Sequence, residues 1–455
     1  MIKYQLIKTE NIGSLFVIFI EWGLSLSNNS IPENNRYPYI NTFILLMFCG
    51  YVITWYLQLG YRKPFLGEIR FEFIYAACLS VIALLVWRKE DWSCPLLKYV
   101  FLYFVVIIYQ VVFSYDFETS WDVFINRILK FSFMAFFIIS FVRSPRDLKW
   151  FLAAFLLACF KMGQEGFWGK LTGSMMWESQ GVMRLHGVTP LYFHPNSFSG
   201  MANGTLPFIY FLMPLVGKYL KSLLFFLAIF SLNIIMFTGS RTGYLAFFFF
   251  LIFIFIKIKN KKKFILSISM LAVLAIPFIH DQYVERFNSI FTGIDKEGES
   301  IIKRKQIIRD AVVVFNDNPM GIGVSAFPSV RMKLFGREQD THNLYLEIAT
   351  NLGIPGIIIF SLLLYNLVKI NRNTKYKFKS RIKILQKNNT TGNYSTNIDA
   401  INDYRFLAAV CDSVLFFIVV RLLLGFFGMD LYEIYWWFAI GVTVALYNIE
   451  KNGMQ

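Results

Sequence analysis

The chain has 455 residues, of which 56% are hydrophobic, 18% aromatic and only 16% charged, with a mean hydropathy of +0.50. An ordinary globular domain carries about 25% charged residues; here 50 Phe and 24 Tyr fill the shortfall, which excludes a soluble fold and predicts many membrane-spanning helices. The 45 Lys and Arg outnumber the 29 Asp and Glu, and in a soluble chain this net charge of +16 would point to nucleic acid, so its location matters.

Residues 14–26 form a short apolar stretch that holds Glu21, so an interfacial helix fits it as well as a crossing does. No small-residue cleavage site follows the first ten residues, and no cleavable signal peptide is expected. Apolar runs of spanning length then lie at 39–60, 71–87, 95–114, 123–142, 148–162 (short), 199–216, 222–239, 244–256, 264–279, 344–368, 406–427 and 431–447. The expected fold is an all-α integral membrane protein with about twelve helices, twelve or thirteen by count, and a large, partly helical outer loop between the ninth and tenth. Its parts are an N-terminal segment 1–38, a first bundle 39–279 with an outer loop at 163–198, the large loop 280–342, and three last helices over 343–449 with a basic loop at 369–404.

Orientation follows from the Lys/Arg bias of short loops. Five lysines (Lys257, Lys259, Lys261, Lys262 and Lys263) separate two runs, and Lys369, Arg372, Lys375, Lys377, Lys379, Arg381, Lys383 and Lys387 follow another without an intervening acid. Placing both groups in the cytoplasm accounts for thirteen of the surplus charges and removes the nucleic-acid reading. Arg143, Arg146 and Lys149 then fall inside, as do both termini, while Arg62, Lys63 and Arg70 fall outside, against the rule. The 280–342 loop carries nine basic and nine acidic residues and reads as a folded, water-facing unit. Its segment 300–315 has helical periodicity, with Ile301, Ile302, Ile308, Val312 and Phe315 apolar and Lys303, Arg304, Lys305 and Arg309 polar. The Lys/Asn/Thr-rich tract 388–397 is expected to be flexible. Five cysteines in or beside apolar runs support neither disulfides nor a zinc site.

This topology puts His186, His194, His280 and His342 on the outer side, together with Arg184, Arg241, Arg304 and Arg309, cations that the positive-inside bias discourages there. Lys161, Arg127 and Arg421 sit in spans toward the outer ends, where a charge is costly and tends to face a cavity or ligand. An anionic substrate would explain them, because converging guanidiniums hold a diphosphate by bidentate hydrogen bonds. Plainer roles stand beside this one. Arg127 and Arg421 can snorkel or pair with Asp122 and Asp412, Arg309 fits a solvated helix face, and His186 and His280 read as ordinary loop residues. His194, ahead of Pro195 and Asn196, fits capping as well as binding. Ser240-Arg241-Thr242-Gly243 offers a fixed cation at a span end, and His342 stands where the large loop re-enters the membrane, with Asn343 and Glu347 following.

Four stretches occur in an informative order: Arg184-Leu185-His186-Gly187 leading to His194-Pro195-Asn196; Thr238-Gly239-Ser240-Arg241-Thr242-Gly243; Arg304 followed by Asn318-Pro319-Met320-Gly321-Ile322-Gly323; and Thr341-His342-Asn343-Leu344-Tyr345-Leu346-Glu347 followed by Gly353-Ile354-Pro355-Gly356. Jointly, across 163–365, they resemble the O-antigen ligase/polymerase superfamily. The resemblance implies an inner-membrane glycosyltransferase, without metal or cofactor, working on the periplasmic face. It would move a glycan from undecaprenyl diphosphate to a sugar hydroxyl on lipid A-core or on another lipid-linked glycan. Arg241 and Arg304 match arginines thought to bind the diphosphate, with Arg184 beside them, and His342 matches a histidine near the reacting groups, placed here as the base. Further substrate contacts are expected from Arg309, His194, Asn196 and Arg421. Ligase-type transfer is the preferred reading and repeat-unit polymerisation the alternative. A flippase or transporter fits less well, since it would need charges through the membrane midplane rather than at one face.

Overall fold

The computed structural model describes residues 40–179, 182–275, 282–284, 299–388 and 394–453. The segment 1–38, His280, most of the first part of the large loop and the centre of the 388–397 tract lie outside the described residues. Among those described, the chain is helical apart from one hairpin. The elements are α1 Thr42–Leu57, α2 Phe71–Leu85, α3 Leu96–Val112, α4 Phe117–Phe141 with a π segment at Phe124–Leu129, α5 Pro145–Leu171, β1 Met176–Ser179 and β2 Val182–Leu185. There follow α6 Pro195–Leu212, α7 Lys218–Phe237, α8 Arg241–Lys257, α9 Lys261–Ala275, α10 Glu299–Asp317, α11 Phe327–Phe335, α12 Gly353–Asn388, α13 Tyr394–Leu424 and α14 Ile434–Asn452.

Long helices alternate in direction, as polar contacts at the two ends show. Leaving His342, the chain runs down α12 and returns along α13, where the Gly425 carbonyl accepts from the Leu344 N–H at 2.7 Å. From there α14 runs away again, until Glu450 meets Lys377 at 2.8 Å and Arg381 at 3.3 Å near the far end of α12. Lys149, in the first turns of α5, reaches Asp403 at that same far end, while the other end of α5 leads into the hairpin. Arg143, just after α4, pairs with Asp91, both almost fully buried. Between these polar ends the helices pack through Phe48, Phe137, Phe151, Phe208, Phe438 and their neighbours, while Phe73, Leu85, Phe101 and Leu266 turn outward with at least two thirds of their surface exposed. Apolar side chains on both the inner and outer faces of a helix are what a bilayer solvent selects. Among the described residues, four helices, Phe117–Phe141, Lys218–Phe237, Leu344–Lys387 and Ile398–Leu424, are long and apolar enough to cross a membrane by length and composition, and α1, α2 and α3 are shorter apolar helices.

Several sequence boundaries move. The fifth span continues to Leu171, because Glu165 does not end the helix but accepts a bidentate bond from Arg62 at 2.6 and 2.8 Å. The first outer loop therefore shrinks from 163–198 to the stretch between α5 and α6, and it carries the antiparallel β1–β2 hairpin, a small exception to the all-α expectation. The basic stretch 369–387 is not a loop. It is the continuation of α12, whose 36 residues span about 54 Å against a hydrocarbon layer of about 30 Å. In α10 the buried face is Ile307, Ala311 and Val314, whereas Ile308 and Val312 are exposed, so the apolar stripe is displaced by one position from the expected one.

The large loop unit has its own core of Ile307, Ala311, Val314, Ile322, Phe327 and Val330. Asn318-Pro319-Met320-Gly321-Ile322-Gly323 joins it to the bundle. Ile322 and Gly323 donate backbone hydrogen bonds to the carbonyls of Thr350 and Asn351, inside a π segment at Ile348–Leu352, and Ile354 donates to Pro319. From the start of the chain, Gln110 Nε2 reaches the Met320 carbonyl at 2.5 Å and Ser120 Oγ reaches the Val324 carbonyl at 2.6 Å. Gly323 has φ +113°, and a β-carbon there would overlap Ser114. Gly323→Ala is expected to lower the thermal midpoint of the detergent-solubilised protein, since the backbone strain alone is about 1–3 kcal/mol; Gly336→Ala, at φ +68° with open space around it, should lower it less.

Candidate functional site

His342 occupies an unusual backbone position. Its φ of +47° is left-handed, which a residue with a β-carbon rarely adopts, so its neighbours must hold it there. On one side the Asp340 carboxylate accepts from the Thr341 N–H at 2.6 Å. On the other, Asn343 caps the following turn by accepting from the N–H groups of Tyr345 and Leu346, and its Nδ2 donates to the Phe426 carbonyl at 2.9 Å. The turn is thus fixed to the α13–α14 connection before re-entering the bundle. The imidazole retains an exposed surface. Loss of water around the rest of the ring lowers its pKa below 6.5, Asp340 works to raise it, and Arg304 and Arg331 work to lower it. Burial also raises the Asp340 pKa, against the Thr341 N–H and His342.

The candidate arginines come from three elements. Arg304 on α10 lies over the Phe427 ring at 5.4 Å from its centroid, which brings the loop helix across the α13–α14 connection. Arg241 is the first residue of α8, whose N-cap Ser240 accepts from the Gly243 N–H at 3.2 Å. Arg184 on β2 is only 2% exposed: its Nε donates to the Thr238 carbonyl and a terminal nitrogen to Asn196 Oδ1, both at 2.8 Å. It therefore ties the hairpin to the Arg241 turn and to the start of α6. His194 caps α6, and its pKa is lowered by burial, then by Arg184, then by His342. Arg184, His194, Asn196, Arg241, Arg304 and His342 thus gather at one end of the bundle, opposite the basic end of α12.

Other candidates lie elsewhere. Arg421 is 2% exposed within the bundle, where it donates to the Gly200 carbonyl at 2.9 Å, stacks on Tyr435 and lies 3.7 Å from Asp430. Its partner is Asp430, not Asp412, which pairs with Lys375. Arg127 likewise pairs with Glu433 at 3.2 Å rather than Asp122. Arg309 is exposed on α10, about 140° around the helix from Arg304. Lys161 serves Glu165 at 3.6 Å, and His186 packs against Trp177 and Phe193. Sequence reasoning missed Asp340 and Arg331. Arg331 is 1% exposed and bonded to Asp310 at 2.8 Å. Asp340 had a local signal, an acid two residues before His342; Arg331 had none, because its partner lies on another helix.

Among the described residues no group of three or more His, Cys, Asp or Glu is placed to hold a metal ion. A family model described as O-Antigen ligase matches residues 226–361, a stretch that contains Arg241, Arg304, the 318–323 segment and His342. This match supports membership of the O-antigen ligase/polymerase superfamily. No individual curated protein matches it. The match and the apolar helices together support a multi-pass membrane protein of O-antigen biosynthesis, in a family whose members are ligases and polymerases.

The charges around His342 set a pH dependence. With the pKa lowered, the ring is neutral and able to accept a proton at pH 7, and any activity needing that form falls on the acid side with a midpoint below 6.5. Asp340 favours the protonated ring, so Asp340→Asn should move this acid limb to still lower pH in a pH–rate profile.

Proposed function

We propose that the protein is an inverting glycosyltransferase of the O-antigen ligase type, transferring a glycan from undecaprenyl diphosphate to an acceptor sugar hydroxyl. The observation that carries this reading is the meeting, at one bundle end, of a strained histidine backed by a carboxylate with guanidiniums delivered by β2, α8 and α10. His342 takes the proton of the acceptor hydroxyl as its oxygen attacks C1 of the donor sugar. The C1–O bond to the diphosphate breaks and the electron pair leaves with the phosphate oxygen, so one displacement inverts the anomeric centre. Negative charge grows on the diphosphate as that bond breaks, and Arg241 and Arg304, fixed before the reaction, stabilise it. Arg184 acts from behind, holding the Arg241 turn. Guanidiniums supply the counter-charge, so this reading calls for no metal.

The same arrangement supports an orientation. Exposed Arg372, Lys379 and Lys383 on the far part of α12 favour the cytoplasm, which supports a periplasmic position for His342 at the inner membrane. Helices α1 to α9 and α12 to α14 would supply about twelve crossings, with α10 and α11 as a periplasmic unit. Repeat-unit polymerisation would use the same donor and the same residues, differing only in the acceptor.

Normally expressed His342→Ala and Arg241→Ala proteins are expected to support little or no long-chain surface polysaccharide; full-length chains from either would overturn the assignment. Deleting the gene and separating the cell's lipopolysaccharide on a gel distinguishes the two acceptors. Bare core with accumulated lipid-linked long chains indicates a ligase, and single-repeat caps a polymerase.

A further inference from the structure

His194 differs from the arginines in being a donor without a charge. Its Nδ1 accepts a hydrogen bond from the Asn196 backbone N–H at 3.2 Å, as the cap of the 18-residue helix α6. A ring nitrogen that accepts cannot hold a proton, so the single proton of the neutral imidazole is on Nε2. Pro195 fixes the backbone between cap and acceptor, and Asn196 is itself gripped by Arg184 at 2.8 Å, so the ring is set on a rigid base. Charging His194 would require protonating Nδ1, which breaks the cap and places a cation at the positive end of α6. Arg184 and His342 add repulsion to that cost. Among the described residues Nε2 has no hydrogen-bond partner, and the side chain keeps an exposed surface at the end where the site gathers.

We propose that His194 is a binding and catalytic residue that donates its Nε2–H to an oxygen of the donor lipid's diphosphate, as a neutral imidazole and without transferring its proton. The proposal rests on reading the site as a diphosphate site. A diphosphate is a stable leaving anion that needs no proton from its partner, and a neutral donor adds a hydrogen bond without another cation to repel Arg241 and Arg304. His342 and His194 then divide the work: the first accepts a proton from the acceptor hydroxyl, and the second keeps its own.

The test uses the full-length protein in detergent, with 15N-labelled histidine and inorganic diphosphate as the probe. His194 signals, assigned by their loss in His194→Asn, should report the Nε2–H form at pH 7, and the Nε2–H resonance should move on adding diphosphate. His194→Asn keeps a capping oxygen but loses the distal donor, so it should fold with an unchanged thermal midpoint and bind diphosphate about tenfold more weakly or worse. An Nδ1–H or doubly protonated ring, or undiminished binding by a folded His194→Asn, would overturn the proposal. Arg241→Ala separates the two levels. If it loses binding while His194→Asn does not, only the role of His194 fails; if Arg241→Ala binds as the parent does, the diphosphate reading itself fails.

Discussion

Segment 319–324 lies against a turn of helix that has opened into π geometry at 348–352, and backbone hydrogen bonds between the two fix the loop unit on the bundle. These bonds need close approach of main chains, which explains the glycines at 321, 323 and 353, all with positive φ. His342 and Arg304 both depend on this seam. Four residues before the π segment, Leu344 is bonded to Gly425, and beyond it His342 is pressed into a left-handed conformation that an isolated turn would abandon. Arg304 approaches the same place because α10 belongs to the unit that the seam holds.

Electrostatics sort the arginines of this half of the bundle into two kinds. Arg184 and Arg421 are almost wholly buried and bonded to backbone carbonyls, so they join elements: hairpin to α7–α8 turn, and α13 to α6. Removing either would leave buried acceptors unpaired, and Asp430 without its nearby guanidinium, a loss typical of broken buried networks. Arg304 keeps an exposed surface and Arg241 is partly exposed. A cation with exposed surface can meet a ligand anion, whereas one buried against carbonyls cannot do so without unfolding its surroundings.

Much of the candidate site's local geometry was legible in the sequence because helix capping is local. Ser240 caps the helix that Arg241 begins, His194 caps the helix that Pro195 begins, and Asn343 caps the turn after His342. Such residues announce themselves by type and spacing. Pairings across the bundle did not. Arg127 finds Glu433, and Arg421 finds Asp430, because helix packing brings them together, and nearby Asp122 and Asp412 were the wrong guesses. Hydropathy also ended helices too early: charge stopped the apolar run at 162 and at 368, yet Arg62 pairs with Glu165, and Glu450 with Lys377 and Arg381, along helices that continue.

The sequence by itself determined that the chain is a membrane protein, which segments are apolar, and which end of them carries surplus lysine and arginine, because these depend on composition along the chain. Its motifs also named His342, Arg241 and Arg304. Only the tertiary structure decided which arginines stay exposed and which are buried, and that His342 is strained and flanked by Asp340. It also decided that the 319–324 segment is seated through Gln110 and Ser120 from the first part of the chain. The reason is physical: whether a charge is available depends on what desolvates and pairs it, and those partners come from helices far apart in sequence.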